Sequence, residues 1–170
     1  RHVQFGAYGH RIFKQSKFSG LIFQGNGRLV EVGVTGPSDY IEWESCFKVF
    51  RTCCIMFDII SEATLDLYMK MIRRYATLRF PQCWALSDQT DVRSRSEQLA
   101  RTRRRGAAEN KLAQQRGYDH DYNPLKPWEW CWKQFANCGS SEEANWWKIE
   151  LEEPGNLIQC GARHFVDYLK

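Results

Sequence analysis

The residues best suited to chemistry in this chain are arginines in one short run, Arg-x-Arg-Arg-Arg, at positions 101 to 105. Guanidinium groups match the geometry of phosphate, and a run of them releases condensed counterions from nucleic acid. The segment from Arg93 to Arg116 has a net charge of +6, whereas the whole chain has +4. This local excess favours either a phosphate-binding surface or a solvated helix face. The candidate nucleic-acid contacts are Arg101, Arg103, Arg104 and Arg105, with Trp130 as a base-stacking platform.

A second polar cluster is Asp119-His120-Asp121, with His164 much later in the chain. Carboxylates around an imidazole can bind a divalent metal, but consecutive loop residues do not easily point at one ion, so we favour a solvated turn. A Cys–His nucleophile pair is compatible with the composition, yet no spacing favours one pairing. The sequence has no phosphate-binding Gly-Lys-Ser/Thr, no Gly-x-Ser-x-Gly and no His-Glu-x-x-His. We therefore expect no catalytic residue, no metal and no cofactor.

The cysteines have the pattern of reduced, packed thiols rather than of a disulfide framework. Cys46/Cys53 and Cys131/Cys138 share a spacing of seven residues, which on a helix separates their Cα atoms by about 10 Å. That exceeds the roughly 7 Å limit for a disulfide. We expect an intracellular protein of a reducing compartment, in an organelle that the sequence does not specify. The longest uncharged stretch, residues 18–27, is about half of a membrane-spanning helix, which predicts no membrane span.

Local signals show which elements position these residues. Residues 20–24 and 28–34 flank Gly25-Asn26-Gly27, a loop typical of a β-hairpin, and the valines at 30, 32 and 34 alternate onto one face. Ser38 or Asp39 can cap a first helix, and Ser61 a second that Pro81 ends. The apolar stripes of these helices are Trp43, Phe47, Phe50, Cys54 and Phe57, and Leu65, Met69, Ile72 and Ala76.

The second half of the chain predicts three further helices and a terminal helical stretch. A third helix carries Trp84, Val92 and Leu99, after which residues 101–115 are either a protruding solvated helix end or a mobile loop. Pro127 suits the first position of a fourth helix, and Ser140 with Glu143 has the capping-box pattern of a fifth. Helical spacing places Trp128, Trp132 and Trp147 in the core. The same spacing points Trp130 and Trp146 elsewhere. They either form an exposed contact surface or, as we favour, pack against the N-terminal hairpin.

Together these signals predict a mainly α fold of five or six helices in a compact bundle, with a small N-terminal β-hairpin. With 170 residues, of which 43% are hydrophobic, the chain can form one domain with a real core. We divide it into an N-terminal arm and hairpin, residues 1–35, and a helical domain, residues 36–170.

Three stretches in this order are similar to a known family. They are residues 43–52 (Trp-Glu-Ser-Cys-Phe-Lys-Val-Phe-Arg-Thr), residues 122–128 (Tyr-Asn-Pro-Leu-Lys-Pro-Trp), and Trp146-Trp147 before an acidic end. Over roughly residues 28–154 the chain resembles a repetitive gag-like open reading frame associated with retroelements in dinoflagellate genomes. The resemblance implies a helical protein that packages or escorts nucleic acid, and it carries over no catalytic residue.

Two functions follow as hypotheses. The first is a non-enzymatic, gag-like protein that binds nucleic-acid phosphate through the arginine run. The second is a structural or adaptor subunit of a larger assembly, and this hypothesis covers assemblies that are attached to a membrane. Its protein partners would contact the aromatic-rich N-terminal arm and the tryptophan cluster, through Phe5, Tyr8, Phe13, Phe18 and Trp146.

Overall fold

The structure, a computed structural model, describes residues 17–159. Two antiparallel strands, β1 (Lys17–Phe23) and β2 (Leu29–Thr35), form a hairpin. The Gly27 N–H donates to the Gln24 carbonyl at 2.9 Å, and Gly27 has a φ of 81°. A tight turn that ends on a left-handed residue favours glycine, because a side chain is strained in that conformation. The predicted hairpin is therefore confirmed, with its turn where the Gly/Asn loop placed it.

Up to residue 159, five continuous helical segments, which we call rods, follow the hairpin. The first is α1 (Tyr40–Met56), and the second is α2 (Glu62–Arg73) continued by a π-helical segment (Arg74–Arg79). The third runs from α3 (Trp84–Arg93) through a π-helical segment (Ser94–Gln98) into α4 (Leu99–Arg116). The fourth is α5 (Pro127–Asn137), and the fifth consists of α6 (Ser141–Trp147), a π-helical segment (Lys148–Glu152) and α7 (Glu153–Gln159). The fold is mainly α-helical with a small N-terminal β-hairpin, as predicted.

The helices begin where the capping signals predict. The Asp39 side chain accepts a hydrogen bond from the Glu42 N–H at 2.9 Å, and Pro127 occupies the first turn of α5. Ser61 and Ser140 cap α2 and α6 in the same way as Asp39 caps α1. These side chains satisfy backbone donors that a helix start leaves open, so the signal is local and readable in sequence.

Aromatic rings from four rods form the centre of the core. The ring centroids of Trp43 and Phe47 are 4.8 Å apart, and those of Tyr68 and Trp132 are 4.6 Å apart. In the predicted stripe of α1, Trp43, Phe47 and Cys54 are buried, as expected. Phe50 is 36% exposed, and the prediction is wrong for Phe57, which is largely exposed. The helix ends at Met56, and the next residues turn the chain away from the core.

The third rod departs most from expectation, because much of its buried side is polar. Of the two alternatives for residues 101–115, the helix is correct and the loop is wrong: they form α4. The helix does not protrude, because one side of it packs against α5. A Cβ atom on Gly106 would lie 2.6 Å from the rings of Trp130 and Tyr122, so the two helices approach closely there. The buried polar side chains of the rod are Ser87, Asp88, Thr90, Asp91, Ser94, Gln98, Thr102 and Asn110. A polar helix face offers no hydrophobic periodicity, which is why the sequence pattern missed it.

The predictions on the cysteines, on a membrane span and on the N-terminal arm compare with the structure as follows. The described cysteines, at positions 46, 53, 54, 83, 131 and 138, are all free. Within residues 17–159, no helix combines the length and apolar character needed to cross a bilayer. The arm residues Phe5, Tyr8 and Phe13, together with His164 and Cys160, lie outside the described residues.

Candidate functional site

Helix α4 places the four arginines of the run in different environments. Arg105 lies against α6, where its guanidinium is 2.9 Å from a Glu142 oxygen and 2.8 Å from a Glu143 oxygen. Glu143 is fully buried and also accepts a hydrogen bond from the Thr102 hydroxyl at 2.9 Å. Burial alone would raise the pKa of Glu143, but hydrogen bonds from Ser140, Arg105 and Thr102 outweigh it and lower that pKa. Arg105 therefore joins two rods and is not a free phosphate contact.

The other three arginines of the run face outward. Arg103 places its guanidinium 4.8 Å from the centre of the Trp128 ring, a cation–π geometry at a partly exposed site. Arg101 and Arg104 are exposed, as is Lys111 two turns further along α4. Within residues 17–159, these last three side chains make no ion pair. We name Arg101, Arg103, Arg104 and Lys111 the basic face of α4.

The predicted exposure of Trp130 and Trp146 is wrong. They are only 7% and 8% exposed, respectively. Trp130 packs against Gly106 and lies edge-on to Tyr122, with ring centroids 5.6 Å apart. The Trp146 indole N–H donates to the Ser94 hydroxyl at 3.0 Å. A base-stacking platform at Trp130 and a partner contact at Trp146 both require open surface that neither ring presents.

Trp128, which the sequence places in the core, is partly buried and packs against the core from its edge. Helices α5 and α6 are buried on more than one side, so a single apolar stripe does not describe either of them. The predicted core positions of Trp132 and Trp147 are confirmed, with both rings almost fully buried.

A cavity of about 430 Å³ lies beside the Asp119-His120-Asp121 cluster, between α4 and α5. The His120 Nδ1 accepts a hydrogen bond from the Tyr122 N–H at 3.0 Å, so Nε2 carries the proton of the neutral ring and faces Glu109 at 3.5 Å. Across the described residues, no group of three or more His, Cys, Asp and Glu is arranged to hold a metal ion. Through its contact with Glu109, His120 connects the loop to α4.

The hairpin carries exposed apolar surface on both of its faces. Cross-strand pairing puts one set of side chains on a single face, and several of them are exposed. On the opposite face, Leu21 and Phe23 are 68% and 70% exposed. No described hairpin residue belongs to the hydrophobic core. The members of the first face, which we name the hairpin face, are Phe18, Gly20, Ile22, Val30, Val32 and Val34.

Helix α1 adds a second apolar surface. Ile41, Val49 and Met56 recur at helical spacing on the side opposite the buried Trp43 and Phe47, and all three are exposed. The apolar stripe predicted from the sequence is the buried one, and this outer stripe was not predicted. The sequence signal for it was the spacing of these three apolar residues, at i, i+8 and i+15, which places them on one side of a helix.

Comparisons with protein-family models, with curated proteins and with solved structures found no match to this chain. The function therefore has to be inferred from the surfaces themselves. Two of them have the character of binding surfaces, the hairpin with its apolar side chains and the basic face of α4.

Proposed function

We propose that this chain is a non-enzymatic structural or adaptor subunit of a larger assembly and that it docks through its β-hairpin. One observation carries the proposal: both sides of the hairpin expose large apolar residues, and no described residue of the hairpin joins the core. An isolated two-stranded hairpin is marginally stable in water and gains stability from additional strands or from a packed face. Contiguous exposed apolar surface is typical of protein contacts.

The proposal changes which residues make the contact. The tryptophan cluster is interior and holds the rods together, so it is not available to a partner. Phe18 remains a candidate, because it lies on the hairpin face and is partly exposed. Leu21, Phe23 and Leu29, on the other side of the hairpin, join it as contacts.

A photo-reactive residue placed at Leu21, Phe23 or Leu29 should crosslink the chain to one partner polypeptide in its native cells. A matched control is the same residue at Leu125, which is 91% exposed on the loop between α4 and α5. Docking through the hairpin predicts strong, single-species labelling at the three hairpin positions and only weak, scattered labelling at Leu125. Equal labelling at all four positions, or none at the hairpin, contradicts the proposal.

A second candidate function is nucleic-acid binding, favoured by the basic face of α4. Arg101, Arg104 and Lys111 are exposed cations without an ion pair in the part of the chain that the structure describes. The resemblance to a gag-like reading frame supports the same role. Since Arg105 is engaged with α6, we assign the phosphate contacts to the basic face and leave Arg105 out.

Replacing Arg101, Arg104 and Lys111 together by Ala should weaken binding to all duplex sequences alike. If each cation neutralises one phosphate, the slope of log K against log salt concentration should flatten by about 2 to 3. The measurement is a fluorescence-anisotropy titration at several salt concentrations. A control of equal charge loss is Lys70, Arg73 and Arg74 to Ala, three exposed residues at the end of α2. An unchanged slope, or the same change in the control, removes this function.

A further inference from the structure

The open edge of β1 can be identified from the hairpin hydrogen bonds. The Gln24 N–H donates to the Arg28 carbonyl at 2.8 Å, so this pair faces inward across the ladder. Inward and outward pairs alternate along antiparallel strands. In the register of this hairpin Ile22 lies opposite Val30, two residues from the Gln24–Arg28 pair, so this pair also faces inward. The residues between the inward pairs, Ser19, Leu21 and Phe23, therefore direct their backbone groups to the outer edge of β1. Within the described chain, these groups have no strand beside them, since the sheet contains two strands only.

Apart from the charge of Lys17 at its first position, the described edge of β1 lacks the features that normally prevent pairing with another strand. Natural edge strands are protected by charged side chains, prolines or bulges. Residues 18–23 contain neither a charge nor a proline. The seven residues of β1 pair with β2 without interruption, so there is no bulge either. Within residues 17–159, the edge of β1 is therefore open for a further strand to pair with it.

A second copy of β1 is a good match to this edge. An antiparallel pair centred on Gly20 aligns all seven residues of both strands, with Ser19 opposite Leu21 of the other copy. Those two residues direct their backbone groups outward, so their donors and acceptors meet in this register. Because the offset is even, the hairpin faces of the two copies lie on the same side and form one continuous apolar surface.

Charge distinguishes β1 from β2 as the self-pairing edge. In the β1 pair, the two Lys17 residues lie at opposite ends of the ladder. The equivalent pairing of two β2 strands about Val32 would make the two Glu31 side chains diagonal neighbours on one face. Like charges at such positions destabilise a sheet. The β1 edge avoids this repulsion.

We propose that two copies of this chain pair through their β1 edges into a four-stranded antiparallel sheet centred on Gly20. The inference rests on the proposed function, in which the hairpin is the docking element, and names the occupant of its open edge. Four strands with one continuous apolar face provide the stability that a lone hairpin lacks. The apolar surface of the four-stranded sheet would then be shared by the two copies.

Sedimentation velocity of the full chain, from about 1 to 100 µM, measures the self-association. Leu21→Pro removes an outward N–H while leaving the ladder to β2 intact, and it should weaken the dimer by about tenfold or more. Leu21→Ala is the matched control, because it shortens the same side chain but keeps the N–H. Near-ultraviolet circular dichroism of the tryptophan core shows that each variant is folded. A chain that stays monomeric up to the highest concentration, or a dimer equally sensitive to both variants, overturns the inference.

A charge swap tests the register. In the pairing about Gly20, the two Ser19 side chains are diagonal neighbours on one face. Ser19→Lys alone and Ser19→Glu alone should each weaken the dimer, and an equimolar mixture of the two should restore it. Failure of the mixture to restore association overturns this register. The photo-crosslinking experiment at Leu21 separates this inference from the proposed function. If the crosslinker labels a different protein while the chain is monomeric, self-pairing is contradicted and docking through the hairpin is supported. If the crosslinker labels no protein, both self-pairing and docking through the hairpin are contradicted.

Discussion

Replacing Asp91 by Ala should destabilise the fold by about 3 to 5 kcal/mol, because it removes the acceptor of a buried network. Asp91 is fully buried in α3 and its carboxylate accepts from the Trp43 indole N–H at 2.8 Å. It also accepts from the Tyr68 hydroxyl at 2.6 Å and pairs with Arg95 at 2.6 Å. The three partners come from α1, α2 and the third rod, so one carboxylate connects three rods.

Most of this cost should come from the two aromatic donors. Arg95 still reaches water at the surface, whereas Trp43 and Tyr68 are buried and would lose their acceptor entirely. Burial, followed by the charge of Asp91, raises the pKa of Tyr68 well above its ordinary value, so the phenol remains a donor at any pH at which the fold is studied. Tyr68→Phe, which removes one donor of the network, should cost only about 1 kcal/mol.

Urea unfolding followed by tryptophan fluorescence measures these differences. The expected result is a lower midpoint with an unchanged slope, since the surface exposed on unfolding stays the same. Asp119→Ala, on the exposed loop before α5, is the matched control and should change stability by less than about 0.5 kcal/mol. A cost below about 1 kcal/mol for Asp91→Ala would show that the network contributes little to the fold.

The elements predicted correctly are those whose signals are local. The hairpin follows from a three-residue Gly/Asn loop, and the helix starts follow from Asp39, Ser61, Pro127 and Ser140. Each of these signals acts within a few residues of the element that it begins or ends. Their prediction needs no knowledge of what the element packs against.

Apart from Phe57, which lies just beyond the end of α1, the failures involve contacts between distant segments. Distant segments supply hydrogen-bond partners to three of the buried polar residues of the third rod. Trp43 and Tyr68 donate to Asp91. Trp146 donates to Ser94, and Glu143 accepts from Thr102. No sequence period encodes such partners. Trp130 is buried because Gly106 leaves room for its ring in the facing helix. The hydrophobic periodicity of one helix distinguishes its buried side from its exposed side. It does not reveal that a second element packs against the helix from another direction.

The arginine run shows the same limit at the candidate site. In the sequence, Arg104 and Arg105 are equivalent members of one basic stretch. On α4 they are about 100° apart around the helix axis, which points Arg105 at α6 and Arg104 at solvent. The composition of the segment therefore predicted a basic surface. The angular position of each arginine around the helix axis determines which of them lie on that surface.

Glu143→Gln should destabilise the fold by about 3 kcal/mol at neutral pH, because it leaves the partly buried Arg105 without its closest carboxylate. Glu143 has the position that a capping box predicts, but its carboxylate turns inward. It accepts from the Ser140 and Thr102 hydroxyls and pairs with Arg105 at 2.8 Å. Arg105→Ala should also lower stability, whereas Arg104→Ala, at the exposed neighbour, should change it by less than about 0.5 kcal/mol.

The pH dependence gives this prediction a definite sign. The pKa of Glu143 is lower in the folded protein than in the unfolded chain, since hydrogen bonds from Ser140, Arg105 and Thr102 overcome the effect of burial. A lowered pKa means that the carboxylate stabilises the fold above its unfolded pKa of about 4.3, and that this stabilisation is lost as the pH falls through the folded value. The difference between wild type and Glu143→Gln should therefore be largest near pH 7 and should shrink in acid. Urea unfolding at several pH values measures it, and a difference that stays constant from neutral to acidic pH would show that the charge of Glu143 does not stabilise the junction between α4 and α6.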